Sequence, residues 1–252
     1  MRRAQLPWYD HPGSSAALDR FWRCVREALR ASGEYDVPER LTRGVDVRAQ
    51  WRSPGLLLSQ CCGPDLFTPA GADLVPIARP TFADLDVGAG RYFSHVVGRV
   101  PTDVHPRIVV NETSSRSGHG ALREWLGAEG LHAGRVIVSG SHAASIVALR
   151  RGAAGLAAID AHSWRWLDTR GLEVIGRSAA APSPPWVMHR HAGVEPARMR
   201  AALVRAVEYC GDAIGIVSAE TALRDDYERF EAVRFLAPES GSPPAALSEG
   251  AQ

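Results

Sequence analysis

Apolar residues Leu18, Phe21, Trp22, Val25, Ala28 and Leu29 fall three and four apart, which predicts a first helix over residues 14–30. Ser14 or Ser15 can cap its start, and Gly33 lies just past its end. Ahead of it, residues 5–9 read as a short strand. The compact apolar run Leu56, Leu57, Leu58 stops at polar Ser59 and Gln60, as a buried strand entering a loop does. Residues 92–100 and 107–110 read as strands, 111–118 as a polar loop, and 119–126 as a helix. The same order then repeats, with a strand at 135–138, a loop at 139–142 and a helix at 143–151 closed by Gly152. A strand at 156–159 ends on Asp160, and short strands follow at 172–175 and 186–188. Met199, Leu203 and Val207 mark an amphipathic helix over 196–209, and residues 221–233 read as the last helix. From residue 237 onward, Pro, Ser and Ala dominate, the composition of a disordered tail.

Strand–loop–helix alternation implies an α/β protein with a largely parallel sheet covered by helices. Ligands of such folds sit at the carboxyl ends of strands. That rule selects the segment after Tyr9, residues 60–65, 111–118 and 139–142, and Asp160.

Charge adds little to this picture. Over 252 residues the formal net charge is +1, so no global field points to nucleic acid or to an anionic membrane. No apolar run reaches membrane-spanning length, so membrane insertion is not expected. All 29 basic residues are Arg, which rules out a lysine Schiff base and leaves Arg, hydroxyls and backbone N–H groups to hold any anion. Cys24, Cys61, Cys62 and Cys210 lack metal-type spacing, and four free thiols in a reducing compartment are expected. No apolar segment follows Arg2 and Arg3, so the chain as written reads as cytoplasmic, or as periplasmic if a signal was removed ahead of it.

The most informative chemistry lies in Asn111-Glu112-Thr113-Ser114-Ser115-Arg116-Ser117-Gly118. Three serines, a threonine and an arginine precede a helix, where free N–H groups and a partial positive charge suit an oxyanion. The competing reading, Ser117 as a plain helix cap in a polar loop, has equal weight. Ser141 can cap the next helix, with His142 in its first turn as an anion donor, a base, or an ordinary loop histidine. Asp160 can meet a donor on a ligand or cap a helix. Trp8, Tyr9 and Tyr92 can wall a cleft or pack a core. Cys61 and Cys62 read as buried structural thiols. His189 and His191 lack a third partner, so no metal is expected.

These loops resemble a known family. The stretch 111–118 with its following helix is similar to the anion loop of the phosphate/phosphonate-binding branch of periplasmic-binding-protein-like proteins. Residues 139–142 with 148–152 and 156–160, and Tyr92-Phe93-Ser94, resemble further segments of it in order and spacing, over about residues 6–235. The resemblance implies a type II periplasmic-binding-protein-like α/β fold, with two lobes joined by two connecting strands. One lobe would be residues 1–93 plus 187–236 and the other 94–186. It implies hinge closure on a small anionic ligand without a cofactor, and an ABC permease as partner where the protein serves transport. Ser115, Arg116 and Ser117 would hold the oxyanion, with His142 and Asp160 lining the cleft, and Tyr9, Tyr92 and Cys62 on its walls. Cys62 falls where transporter-linked members carry a tyrosine. The alternative function is a cytoplasmic biosynthetic enzyme on the same fold, with His142, Asp160 and Cys61 or Cys62 as reactive groups.

Overall fold

The computed structural model describes residues 2–99 and 105–230; the tail from 237 onward lies outside them. In chain order the elements are β1 (Arg3–Ala4), α1 (Ser15–Ala31), α2 (Val47–Trp51), β2 (Leu56–Gln60), β3 (Leu74–Phe82), β4 (Arg91–Tyr92), β5 (Ser94–Gly98) and β6 (Ile108–Val110). Then come α3 (Ala121–Ala128), β7 (Val136–Val138), α4 (His142–Arg150), β8 (Leu156–Asp160), α5 (Ala161–Trp164), β9 (Val174–Arg177), β10 (Ala181–Pro182), β11 (Trp186–His189), α6 (Pro196–Cys210) and β12 (Ile216–Thr221). No described helix is long and apolar enough to cross a membrane.

The strands form two five-stranded sheets, ordered β1-β2-β11-β3-β12 and β7-β6-β8-β5-β9. Between them β4 and β10 pair antiparallel, Tyr92 opposite Ala181 and Arg91 opposite Pro182. These are the two connections of a two-lobed α/β fold, and each lies where the chain crosses from one sheet to the other.

The sheets are mixed, which corrects the expectation of a largely parallel sheet. The strand–loop–helix repeats read from the sequence do make the parallel neighbours β6–β7 and β6–β8. Strand β5, however, enters from the first sheet and β9 leads back to it, so β5 runs antiparallel to both β8 and β9. In the first sheet, β11 returns from the second lobe antiparallel to β2 and β3.

Strands β3 and β12, and the two-residue β10, escaped the sequence reading. Strand β3 is nine residues long and lies inside its sheet although it carries Pro76 and Pro80, residues that argue against an interior strand. Strand β12 covers residues 216–221, and the chain then enters a short 3₁₀ segment, Arg224–Phe230, in place of the predicted helix over 221–233. Residues 231–233 lie outside the described ones. The expected strand at 5–9 is instead β1 followed by a tight turn at Pro7–Tyr9.

Helix α1 buries the stripe Leu18, Phe21, Trp22, Val25 and Leu29 against the first sheet, with Phe21 stacked on Trp186 at 5.8 Å between ring centres. Burial of such side chains contributes about 1.5–3 kcal/mol each. The second sheet is covered on both faces. Val96, Val110, Ala158 and Leu122 pack on one side, and Val97, Val109, Ile159 and Ile146 on the other.

Helices α1 and α6 are joined by a disulfide between Cys24 and Cys210, while Cys61 and Cys62 stay free. This overturns the expectation of four free thiols. A separation of 186 residues hides the pair from spacing arguments. Alkylation in denaturant without reductant should label two cysteines, and four after reduction, as read by intact mass. Four labels without reductant would exclude the bridge.

Candidate functional site

A cavity of about 430 Å³ opens between the lobes, within the size range of small-molecule sites. Its second-lobe wall is the loop read as the anion loop. Ser115 is extended and accepts the Gly118 N–H at its Oγ (3.0 Å), capping a π-helical turn, Arg116–Gly120, that leads into α3. The helix therefore starts with a wider turn than residues 119–126 predicted. The Ser115 and Ser117 hydroxyls stand 3.4 Å apart. A Cβ on Gly118 would run into Asn111 Oδ1 and press on Ser115 Oγ, so this close approach requires glycine.

Ser117 Oγ lies 3.0 Å from Nε2 of His142, the first residue of α4. Ser141 caps that helix by accepting the Ala144 N–H at 3.0 Å. Burial, and then the neighbouring His11, push the His142 ring down to about 4, so it is neutral near pH 7. Hydroxyls, a neutral imidazole and the N-terminal N–H groups of α4 thus converge on one corner of the cavity.

Opposite them, Asp160 ends β8. It accepts the Ser163 N–H at 2.8 Å, as the cap of α5, and the Tyr9 hydroxyl at 3.3 Å across the cleft. Burial raises its pKa, opposed by the Ser163 N–H. Cys62 heads the turn Gly63–Phe67 with its N–H on Asp65 Oδ2 at 3.0 Å. Burial, and then the Asp65 charge, push its thiol well up; burial does the same to Cys61. Neither sulfur is a poised nucleophile.

Tyr9, Cys62, Ser115, Ser117, His142 and Asp160 line the cavity. Arg116 and Tyr92 do not. Arg116 is buried and faces away, its guanidinium 2.7 Å from Glu124 and over the Phe230 ring. It lies between two inward serines, and its side chain turns to the other side of the loop. Tyr92 is packed into the first-lobe core.

The cavity also holds residues the sequence reading passed over. Arg48 reaches it from α2, and Asp65 from the turn after β2. Burial lifts Asp65 to about 6, against the pull of Arg48 and the Cys62 N–H. The lining includes five carboxylates, Asp10, Asp46, Asp65, Glu112 and Asp160, with Arg48 the one arginine. Five lining residues carry buried polar atoms without a hydrogen-bond partner among the described residues: Trp8 Nε1, His11 Nε2, Asp65 Oδ1, Asn111 Oδ1 and His142 Nδ1. Asp65 lies in a loop the strand-end rule had marked. Arg48 had no such signal beyond Asp46, whose carboxylate caps α2.

Residues 103–227 match the family model described as ABC transporter, phosphonate, periplasmic substrate-binding protein. No curated protein matches the chain. Among solved structures, PhnD1 from Prochlorococcus marinus in complex with methylphosphonate superposes with TM-score 0.65 at 15% identity, covering 91% of this chain and 96% of that one. A binding protein component of an ABC phosphonate transporter from Pseudomonas aeruginosa gives 0.63 at 13% identity, over 91% and 86%. A Xanthomonas citri protein bound to ATP gives 0.62 at 14% identity, over 86% and 93%. With its two lobes and two connecting strands, the chain has the type II periplasmic-binding-protein fold, and its residues 103–227 match the phosphonate-binding family of periplasmic substrate-binding proteins.

Proposed function

We propose that this protein captures a small phosphonate- or phosphate-class oxyanion in the cleft and presents it to an ABC permease. The observation that carries this reading is the convergence of the Ser115 and Ser117 hydroxyls with His142 Nε2 at the head of α4. In this reading Ser115, Ser117 and His142 hold the oxyanion, while Tyr9, Asp160 and Cys62 line the rest of the site. Arg116 and Tyr92 support those walls from behind. The lobes are residues 1–93 plus 187–236, and 94–186, hinged at β4 and β10. The compartment is the periplasm, as in the family, and the Cys24–Cys210 bridge is at home in an oxidising one.

The lining constrains the ligand further. A bare multiply charged anion would face Asp65, Glu112 and Asp160 with only Arg48 to offset them. An oxyanion that carries its own hydroxyl or ammonium group satisfies both sides. Calorimetry and thermal-shift titration with methylphosphonate, an aminoalkyl phosphonate, phosphate and sulfate test this. Phosphonates or phosphate should bind and sulfate, which offers no proton at neutral pH, should not. Binding of none of the four would overturn the oxyanion reading.

A further inference from the structure

We propose that Arg48 is a positioning residue that latches the two lobes across the mouth of the cleft and sets the geometry of the anion loop. Helix α2, which carries it, is firmly seated in the first lobe. Asp46 Oδ1 accepts the N–H groups of Arg48 (2.9 Å) and Ala49 (3.2 Å), and the buried Trp51 donates its indole N–H to Ser59 Oγ at 3.1 Å. From that base the guanidinium crosses to the second lobe. It donates to Ser114 Oγ at 3.1 Å and lies 3.3 Å from Glu112 Oε2. The Ser115 N–H in turn donates to the Glu112 carbonyl at 3.2 Å, so Glu112 to Ser115 is one tight turn. Holding the side chains of Glu112 and Ser114 from the opposite lobe fixes the turn that presents Ser115.

Arg48 also has a partner in its own lobe. Asp65 Oδ1 stands 3.6 Å from it, and Asp65 is 2% exposed with that oxygen free of hydrogen bonds. When the lobes part, Arg48 loses Glu112 and Ser114 and settles on Asp65. The open state is thereby spared an unpaired buried carboxylate, and closing adds two partners across the cleft. The coupling to ligand rests on the anion-site reading above; the latch does not.

Stopped-flow kinetics with methylphosphonate or phosphate, whichever binds, test the coupling. Arg48→Gln should speed dissociation about fivefold to tenfold, the size of a half-exposed ion pair with a charged hydrogen bond, and leave association within about twofold. Glu112→Gln with Ser114→Ala should do the same, and the triple variant should add nothing more. Arg48→Lys should recover part of the loss. An unchanged dissociation rate in Arg48→Gln, or effects that multiply in the triple variant, would overturn the coupling. If neither anion binds the parent protein, the oxyanion reading fails, and small-angle scattering then decides the latch alone. Arg48→Gln should raise the radius of gyration of the ligand-free protein, and no change would reject the latch.

Discussion

Replacing Ser115 and Ser117 together by alanine should weaken oxyanion binding on the order of 30- to 1000-fold, or about 2–4 kcal/mol if the two hydroxyls act independently. Each hydroxyl has a donor to give. Ser115 Oγ uses one acceptor position on the Gly118 N–H, which leaves its proton for a ligand oxygen. Ser117 faces the neutral His142 ring, so proton exchange along this short line lets both present donors to an arriving anion. The cost to folding should be smaller and should come from Ser115, whose cap contributes about 1 kcal/mol. A lower melting temperature with full occupancy at high ligand concentration would match that division. Arg116 gives the contrast. Its guanidinium is engaged with Glu124 and the Phe230 ring, so Arg116→Gln should leave affinity within about threefold while lowering stability. Isothermal titration of the three proteins with methylphosphonate and phosphate decides the matter. If the double variant binds as tightly as the parent, the loop is not the anion site.

Much of this was legible where local rules and tertiary needs agree. The stripe of α1, the strand–loop–helix repeats around Ser115 and His142, and the strand ending on Asp160 follow from periodicity and from the habit of α/β folds to gather chemistry at strand ends. Illegible elements were those set by partners far away in sequence. Strand β3 carries Pro76 and Pro80 although β11 and β12 flank it on either side, and a register shift lies beside Val187, the partner of Pro76. The direction of Arg116 depends on Glu124 and Phe230, which nothing in the loop announces. Arg48 and Asp65 meet only because α2 and the turn after β2 share one wall. The same limit hid the bond between Cys24 and Cys210, since no local signal marks two helices that pack side by side.

Between about pH 4 and 6.5, two cavity residues should push the stability of the parent protein in opposite directions. Asp65 titrates near 6 in the folded protein, against 3.8 for a free carboxyl. Across that interval the folded state holds a proton that the unfolded chain has lost, so Asp65 makes stability fall as pH rises. His142 titrates near 4, against 6.5 when free. There the unfolded chain holds the extra proton, and stability rises with pH. Each contribution amounts to about 3 kcal/mol over its window, and the windows nearly coincide. Asp160, raised by burial, adds to the falling side, while His11, His95, His119 and His189, all lowered by burial, add to the rising side. Relative to the parent, Asp65→Asn should make stability climb by about 2–3 kcal/mol more from about pH 4 to 7. His142→Gln should make it climb less than the parent by a similar amount. Urea unfolding at half-unit steps of pH measures both slopes. Parallel curves for the parent and either variant would mean that the residue concerned titrates alike in the folded and unfolded chain, and that its burial in the cavity wall carries no electrostatic cost.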